Sequence, residues 1–350
     1  MAAAPETDVV VIGAGIMGSA TAAALARSGR EVVLLERFRV GHARGSSHGA
    51  SRIFRFSYPA PVFVRMMQEA LPLWRRLEEE SDEPLLTVTG GLDGGAGVER
   101  NAEAMEACGV PFERIDGAEV VRRFPFVRAE PEERFVFQAE GGVVAADRAL
   151  RAFVSSARGH GGEVIEGCRV VDLRTDANGV EVVAEDRSYR ARTAVITAGA
   201  WARGLLAAAG IDLPLRPTRE TVAYFRLDES LTVPTLVDWG DPAGYALRSP
   251  GQGVKAGEHG AGPEIDPDRE DGANAASVSR LRSWIGRRYP DAEAEPHLIE
   301  TCLYTNTADE SFILERRGPL LIGSACSGHG FKFAPLIGER LGALAAKEGA

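Results

Sequence analysis

A strand, a glycine-rich turn, a helix and a second strand follow one another within residues 8–36, and this succession constrains the fold more than any other feature. Residues 8–12 are an apolar run typical of a buried strand, and they lead into Gly13-Ala14-Gly15-Ile16-Met17-Gly18 and an alanine-rich helix. A second strand over residues 31–35 ends at Glu36, 18 residues after the last glycine. The glycines allow the backbone to approach a pyrophosphate, the helix N-terminus offers N–H groups to it, and the acid can accept from ribose hydroxyls. The order predicts a dinucleotide site; the alternative is a tight strand-to-helix turn that binds nothing.

The rest of the chain predicts a mixed α/β fold, α+β overall, with two domains. Its 350 residues exceed the size at which one hydrophobic core usually stops growing. The strand of small residues over 194–199 predicts a return to a parallel sheet, whereas the alternation over 221–226 predicts a half-exposed antiparallel sheet. We therefore expect a Rossmann-type nucleotide domain, discontinuous in sequence, and a substrate domain built on the antiparallel sheet. The nucleotide domain is predicted over residues 1–88, 139–213 and 318–350, and the substrate domain over 89–138 and 214–317.

Two further segments carry structural predictions. Apolar residues at helical spacing predict a helix over residues 61–80, with Met66, Met67 and Trp74 in the core. Residues 257–276 are rich in glycine, proline and acids, which predicts a solvated loop, with a lid as the alternative.

Charge and cysteine usage exclude several classes of protein. The formal charge of −10 argues against nucleic acid or a membrane surface as partner, because both attract basic proteins. The start of the chain has no basic segment, and the apolar run over 9–12 is too short for a signal peptide or a membrane span, so we expect a cytoplasmic protein. Cys108, Cys168, Cys302 and Cys326 form no CxxC pair, so neither a disulfide framework nor a metal site is expected.

A second glycine-rich turn lies near the C-terminus. Ser327-Gly328-His329-Gly330-Phe331-Lys332 separates the strand 320–323 from a helix predicted to begin near Pro335. Such a turn directs unpaired N–H groups at whatever lies in front of it. The residues alone leave open whether that is the edge of a flavin or only a helix-capping loop.

Five motifs in the same order resemble the monomeric sarcosine oxidase family. This family includes N-methyltryptophan and pipecolate oxidases and belongs to the D-amino-acid-oxidase-like flavoproteins. The resemblance runs in register from about Asp8 to Leu344. The motifs are GAGIMG with Glu36, Gly45-Ser46-Ser47-His48-Gly49-Ala50-Ser51-Arg52, Gly253-Val254-Lys255-Ala256-Gly257-Glu258-His259, Cys302-Leu303-Tyr304-Thr305-Asn306-Thr307 and Ser327 to Lys332.

The resemblance implies an FAD cofactor, attached covalently through Cys302. In the family, a cysteine followed by x-Tyr-Thr carries the flavin, and Cys302 matches that position; Cys326 is a second thiol that could be mistaken for it. The further residues that the resemblance places around FAD are Gly13, Gly15, Ile16, Met17, Gly18, Glu36, Arg37, Ser46, His48, Arg52, Val170, Gly199, Gly328, Gly330, Phe331 and Lys332.

The resemblance also implies catalytic roles. Lys255 matches a lysine linked to oxygen activation, and an ammonium in a dry pocket would stabilise superoxide. Arg52 and Lys332 match basic residues that bind the substrate carboxylate, with Arg55 as the nearby alternative. His259 matches an active-site histidine, although it could equally be a solvated loop residue. Tyr245 is expected near the substrate.

The expected function is oxidation of a secondary N-methyl amino acid such as sarcosine, giving an imine, then aldehyde, amine and H2O2. The expected partners are the amino acid and O2, and a monomer is expected. The alternatives are an oxidase or dehydrogenase for N-methyltryptophan, pipecolate or another amino acid, a NAD-dependent dehydrogenase with the same glycine motif, and a non-catalytic nucleotide-binding module.

Overall fold

The computed structural model describes residues 6–241 and 243–347. Residues 1–5 and 348–350 lie outside the described residues, and with them the extreme ends of the predicted nucleotide domain and most of the N-terminal segment used to predict location.

Nineteen strands and eight α-helices form the described part. The strands are β1 (Glu6–Ile12), β2 (Val32–Leu35), β3 (Ser51–Phe54), β4 (Leu86–Val88), β5 (Gly91–Gly95), β6 (Glu113–Asp116), β7 (Arg134–Gln138), β8 (Gly142–Ala145), β9 (Glu163–Ile165), β10 (Val170–Asp176), β11 (Gly179–Ala184), β12 (Ser188–Ile196), β13 (Arg216–Phe225), β14 (Thr235–Trp239), β15 (Gly244–Ser249), β16 (Gly253–Glu258), β17 (Leu298–Asn306), β18 (Ile313–Arg317) and β19 (Leu320–Ser324). The helices are α1 (Ile16–Arg27), α2 (Pro61–Ser81), α3 (Val98–Ala107), α4 (Gly117–Arg123), α5 (Ala146–Gly159), α6 (Ala202–Ala208), α7 (Ala275–Arg288) and α8 (Ala334–Ala346), with short 3-10 turns at Gly199–Trp201 and Phe331–Phe333.

The first sheet has five parallel strands at its centre, in the order β9-β2-β1-β12-β19. Strands β10, β11 and β18 extend it in the antiparallel sense. The predicted return of residues 194–199 to a parallel sheet is confirmed, because Ile196 of β12 lies beside Ile12 of β1. Both faces of β1 are buried, with Val9 and Val11 in the core formed with α1 and Val10 and Ile12 in the core on the other side. This explains why β1 is a continuous apolar run.

The second sheet has the order β17-β13-β16-β15-β14-β5-β7-β6 and is antiparallel except where β5 pairs with β14. The expectation of a half-exposed sheet is wrong for β13, in which eight of ten residues are buried. Helix α7 covers one face through Leu281 and Trp284, and the first half of the molecule covers the other, where Tyr224 approaches Gly49. Both faces of this strand are therefore shielded from water.

A small sheet, β3-β8-β4, lies beside these two. Strands of the first large sheet fall within the ranges predicted for the nucleotide domain, except β18, which pairs with β19 although residues 313–317 were assigned to the substrate domain. The hairpin of β18 and β19 therefore places residues 313–317 in the first sheet. The division into two domains itself remains a prediction.

Helix α2 confirms the predicted helix over residues 61–80, and Met66, Met67 and Trp74 are buried as expected. The glycine-rich segment Gly91–Gly95, for which no strand was predicted, forms strand β5. Glycine weakens a strand in isolation, but β14 and β7 hold this one on both sides. No helix within residues 6–241 and 243–347 is both long and apolar enough to cross a membrane.

Candidate active site

One cavity of about 830 Å³ is lined by residues from both large sheets. Nearly all of the residues that were predicted as cofactor-binding or catalytic line this cavity, although they come from distant parts of the chain. Those that line it are Gly13, Gly15, Ile16, Met17, Glu36, Arg37, Ser46, Arg52, Val170, Gly199, Tyr245, Lys255, His259, Cys302, Gly328, Gly330, Phe331 and Lys332. Its volume is in the range of cofactor and substrate pockets.

Gly18 and His48 were nominated as cofactor contacts but do not line the cavity. A Cβ on Gly18 would lie 1.9 Å from the Gly13 carbonyl oxygen, so this glycine allows α1 to pack on the end of β1. His48 is buried and its Nδ1 has no hydrogen-bond partner. Burial and the charges of Arg52 and Lys255 lower the pKa of His48 to about 4, so its ring is neutral near pH 7.

The first glycine turn is held by backbone geometry. Gly13 has φ of 98°, and a Cβ there would lie 2.7 Å from the Thr197 carbonyl oxygen. Gly15 precedes α1 and provides no side-chain cap. The Ile16 N–H donates to Ser47 Oγ at 3.0 Å. This role of Ser47 was not predicted from the sequence, where its place in the motif before His48 was the one available signal.

Glu36 lies at the end of β2, directly beside this turn. It is buried, and its carboxylate accepts from the N–H groups of Ala14 at 2.8 Å and Phe38 at 2.9 Å. Burial alone would raise the pKa of Glu36, but these bonds and His42 lower it below its ordinary value. The group is therefore an anion at neutral pH and remains an acceptor.

Arg37 borders the same end of the cavity and pairs with Asp268 at 2.5 Å. Asp268 also accepts from Trp201 Nε1 at 2.8 Å. Residues 257–276 were predicted as a solvated loop; residues 257–258 belong instead to β16, and Asp268 contacts the nucleotide side of the molecule. The contact of Asp268 with the cavity was not predicted, because nothing in the local sequence indicates a partner so distant in the chain.

Lys255 lies on β16 between β13 and β15 and is buried. Its Nζ donates to the Ser51 carbonyl at 3.4 Å and lies 5.7 Å from the centre of the Tyr224 ring. Burial and the charge of Arg52 lower the pKa of Lys255 to about 7. A lysine in this state changes charge in the physiological range.

Arg52 lies on β3, and its side-chain hydrogen bonds go to backbone carbonyl groups. Its guanidinium donates to the carbonyls of Ser51 at 2.8 Å, Ser46 at 2.7 Å and His48 at 2.7 Å, which takes three of its five N–H groups. It also lies 5.4 Å from the Phe331 ring. Arg52 therefore holds the loop over residues 46–51 in place beside Lys255.

Cys302 on β17 is half-buried and lines the cavity together with Cys326. Burial raises the pKa of Cys302, although the charges of Arg52 and Lys255 act in the opposite direction. Cys326 Sγ accepts from the Thr305 N–H at 3.4 Å. The two thiols share the cavity, so lining it does not distinguish them.

The second glycine turn precedes α8, and its geometry differs from the prediction. A 3-10 turn over Phe331–Phe333 leads into the helix, and the N–H groups of His329 and Gly330 both donate to the Cys326 carbonyl. These two groups are therefore not free for a cofactor. A Cβ on Gly330 would lie 1.8 Å from the Ala325 carbonyl oxygen, so this position requires glycine.

Lys332 is buried, and its Nζ donates to the Tyr58 hydroxyl and to the His329 carbonyl, each at 2.8 Å. Within the described part of the chain no carboxylate lies within 4.0 Å of it. Burial and the charge of Arg55 hold the pKa of Lys332 well below its ordinary value.

Arg55 also lines the cavity and contacts Tyr58, with its guanidinium carbon 4.5 Å from the Tyr58 ring centre. Its Nη1 donates to the Ser57 carbonyl and, at 2.6 Å, to Asp93 Oδ1. Asp93 on β5 was not predicted from the sequence, because it lies in a glycine-rich segment for which no strand was predicted. A lone acid within that segment was the only signal.

His259 follows β16, lines the cavity and pairs with Glu310 at 3.4 Å. Its ring packs edge-on against Trp239 at 5.8 Å. The histidine is half-buried, so the solvated alternative does not describe it fully.

Tyr245 lies on β15 and packs over Gly257 on the neighbouring strand β16, where a Cβ would lie 2.5 Å from the Tyr245 hydroxyl. Burial raises the pKa of Tyr245.

The comparison with protein families identifies this arrangement. A family described as DAO, FAD dependent oxidoreductase, matches residues 8–344. The chain belongs to this family. It is therefore an FAD-dependent oxidoreductase that acts on CH–NH donors, and the NAD-dependent and non-catalytic alternatives are set aside.

Individual proteins agree with the family. The chain is 37% identical to peroxisomal sarcosine oxidase from Homo sapiens, over 97% of this chain and 92% of that protein. It is 33% identical to monomeric sarcosine oxidase from Bacillus sp. (strain B-0618), with the same coverage of both. Among solved structures, NikD, an unusual amino acid oxidase essential for nikkomycin biosynthesis, matches with a TM-score of 0.90 and 27% identity, covering 99% of this chain and 95% of NikD. These similarities support oxidation of an amino acid.

The residues present fit FAD. Gly13, Ala14 and Gly15 line the cavity just before α1, and Gly15 places no side chain at the N-terminus of the helix, where a pyrophosphate would bind. Glu36 is a buried anion facing the same space and can accept from a ribose. From there the cavity continues to Lys255, Cys302 and Lys332, which would border the isoalloxazine and the substrate.

Proposed function

We propose that this family member oxidises a secondary amino acid, with an N-methyl amino acid such as sarcosine as the preferred class. The observation that carries the proposal is a pair of buried basic residues, Arg55 and Lys332, which both contact Tyr58 and line the same cavity as Lys255. Two buried cations select an anionic group, and an amino acid brings its carboxylate.

In this proposal Arg55 binds the substrate carboxylate together with Lys332. The resemblance favoured Arg52 for that role. The Nη1 atom of Arg55 is occupied, whereas its Nε and Nη2 atoms have no hydrogen-bond partner among the described residues. These two atoms form the edge of a guanidinium that binds a carboxylate in bidentate fashion. Arg52 has most of its N–H groups on backbone carbonyls. In this proposal Arg52 supports the loop beside Lys255 and Arg55 binds substrate.

The bound FAD would supply the two-electron oxidation of the amine to an imine and the transfer of those electrons to O2. The protein orients the amino acid through Arg55 and Lys332 and excludes water with the buried walls of the cavity. Lys255 supplies positive charge where O2 acquires negative charge. The imine hydrolyses in water, so that an N-methyl amino acid, O2 and H2O give the demethylated amino acid, formaldehyde and H2O2.

Covalent attachment of FAD through Cys302 is part of the proposal. Cys302 lines the cavity; burial raises the pKa of its thiol, and the charges of Arg52 and Lys255 partly oppose that rise. A monomer is also proposed, in line with the name of the Bacillus relative. A cytoplasmic location remains a prediction, and the human relative is named peroxisomal.

The test is peroxide production by the purified yellow protein with sarcosine, N-methyltryptophan and pipecolate. Turnover of sarcosine with stoichiometric H2O2 supports the proposal. Turnover of N-methyltryptophan or pipecolate alone would identify a larger amino acid as the substrate. Reduction of the flavin by an amine without formation of peroxide would identify a dehydrogenase. Absence of any amine-dependent change in the flavin spectrum contradicts the proposal.

A further inference from the structure

Arg55, which lines the cavity, forms an ion pair with Asp93, and this pair bears on the charge of the proposed substrate site. Arg55, Asp93, Tyr58 and Lys332 are all buried, with exposed fractions of 6%, 1%, 5% and 5%. Buried charges are costly unless they are paired, and two cations around one substrate carboxylate would leave an unbalanced positive charge.

Asp93 is built firmly into this site. Its Oδ1 accepts from Arg55 Nη1 at 2.6 Å and its Oδ2 from Gln138 Nε2 at 3.1 Å. The Gln138 side chain in turn accepts from the N–H groups of Phe56 at 2.6 Å and Ser57 at 3.1 Å. The carboxylate therefore ties β5 and β7 to the segment that carries Arg55, and it fixes which edge of the guanidinium faces the cavity.

We propose that Asp93 is a positioning residue and internal counter-ion, which holds Arg55 by Nη1 and allows Arg55 and Lys332 to be charged together around one substrate carboxylate. With substrate bound, the site then contains two cations and two anions. Without Asp93, binding a carboxylate would require either an excess positive charge or a neutral Lys332. The inference rests on the proposed function, in which these two cations bind the carboxylate.

The surroundings of Lys332 support this charge balance. Its Nζ faces the Tyr58 hydroxyl and the His329 carbonyl, with the Arg55–Asp93 pair beyond Tyr58. The charge of Arg55 lowers the pKa of Lys332 and that of Asp93 raises it. Burial lowers the pKa of His329 to about 3, so its ring adds no charge near neutrality. Neutralising Asp93 should therefore lower the pKa of Lys332 further, and its charge would be lost at a lower pH.

The experiment compares wild type, Asp93→Asn and Glu258→Gln as FAD-containing proteins. Glu258 is a suitable control because it is also buried in the second sheet and pairs with an arginine, Arg280, but does not line the cavity. Acetate serves as the carboxylate probe and acetamide as its neutral counterpart. Binding of each is measured between pH 5.5 and 9 from the change in flavin absorbance.

In the expected result, acetate binds wild type and Glu258→Gln alike, and its dissociation constant increases as pH rises. In Asp93→Asn the constant is about 10- to 100-fold larger at pH 7.5, as for loss of other supporting partners of binding residues, and the increase begins at lower pH. Acetamide binding changes little in any variant. If acetate binding has the same pH dependence in Asp93→Asn as in wild type, Asp93 does not have this role. Binding of the carboxylate by Arg55 and Lys332 would not be contradicted by that result.

Equal binding of acetate and acetamide by wild type would contradict the binding of a carboxylate by Arg55 and Lys332, and therefore the proposed function as well as this inference. Should Asp93→Asn not fold, Asp93→Glu keeps the charge and alters only the position. Acetate binding should then weaken without a change in the pH at which it begins to weaken. A shifted pH dependence in Asp93→Glu would contradict the counter-ion role.

Discussion

Lys255 gives the sharpest prediction, because its charge state can be set by pH. With a pKa of about 7, Lys255 is mostly an ammonium at pH 6 and mostly a neutral amine at pH 8. If the ammonium is what stabilises negative charge on O2, the rate of reoxidation should fall about tenfold per pH unit above that pKa. The rate should fall and not increase with pH, because raising the pH removes the positive charge of Lys255.

The size of the effect has an upper bound. Two unit charges about 4 Å apart interact by about 4 kcal/mol at the effective dielectric constant of a protein, which corresponds to roughly a thousandfold in rate. The fall with pH should therefore level off at about a thousandfold, and Lys255→Met should show the low rate at every pH. Lys347→Met, at an exposed position after α8, is the control.

The assay is stopped-flow mixing of the anaerobically reduced protein with O2, followed by recovery of the oxidised flavin absorbance from pH 6 to 9. Substrate is left out, so that its own ionisation does not contribute. A flat profile for wild type, or a Lys255→Met variant that reoxidises as fast as wild type at pH 6, would refute the reasoning.

Three other predictions address separate parts of the site. On a denaturing gel, flavin fluorescence should disappear in Cys302→Ala and persist in Cys326→Ala; the reverse pattern would move the attachment to the second thiol. Arg55→Met should raise KM for an amino acid by at least about 30-fold, the roughly 2 kcal/mol expected for loss of a buried charged partner, with a smaller effect on kcat; steady-state kinetics with unchanged KM would exclude Arg55 from binding. Gly330→Ala should lower the free energy of unfolding by about 3 kcal/mol or more, because its Cβ would lie 1.8 Å from a carbonyl oxygen, whereas Gly286→Ala, with open space around it, should not; urea denaturation measures both, and equal stabilities would contradict the steric argument.

The parts of the fold that the sequence predicted are those encoded locally. The turn from Gly13 to Gly18 and the acid at Glu36 lie within one β-α-β unit, so spacing alone determines their neighbours. The parallel pairing of β12 with β1 was predictable because a strand buried on both faces is continuously apolar. By contrast, the two-residue connection Gly318-Pro319 could indicate the hairpin of β18 and β19, but not which sheet the hairpin joins.

The site residues that were missed share a different property, since their roles depend on contacts with residues that are distant in the chain. Asp93 lies in a glycine-rich segment with weak strand propensity, and it becomes part of a strand only because β14 and β7 flank it. Asp268 and Glu310 lie in loops whose positions no periodicity fixes. Sequence could nominate residues in motifs but not the partners that the sheets bring to them.

Arg52 and Arg55 illustrate why the motif could not decide which cation binds substrate. The two residues are three positions apart, but only Arg52 lies on β3, whereas Arg55 follows its last residue. Arg52 lies near Lys255 and Phe331, and Arg55 contacts Tyr58 and Asp93. A resemblance read along the chain treats them as interchangeable neighbours, whereas the fold gives them different environments. The one with an unoccupied edge and a buried counter-ion is suited to hold a carboxylate, and the one bound to backbone carbonyls is suited to hold a loop.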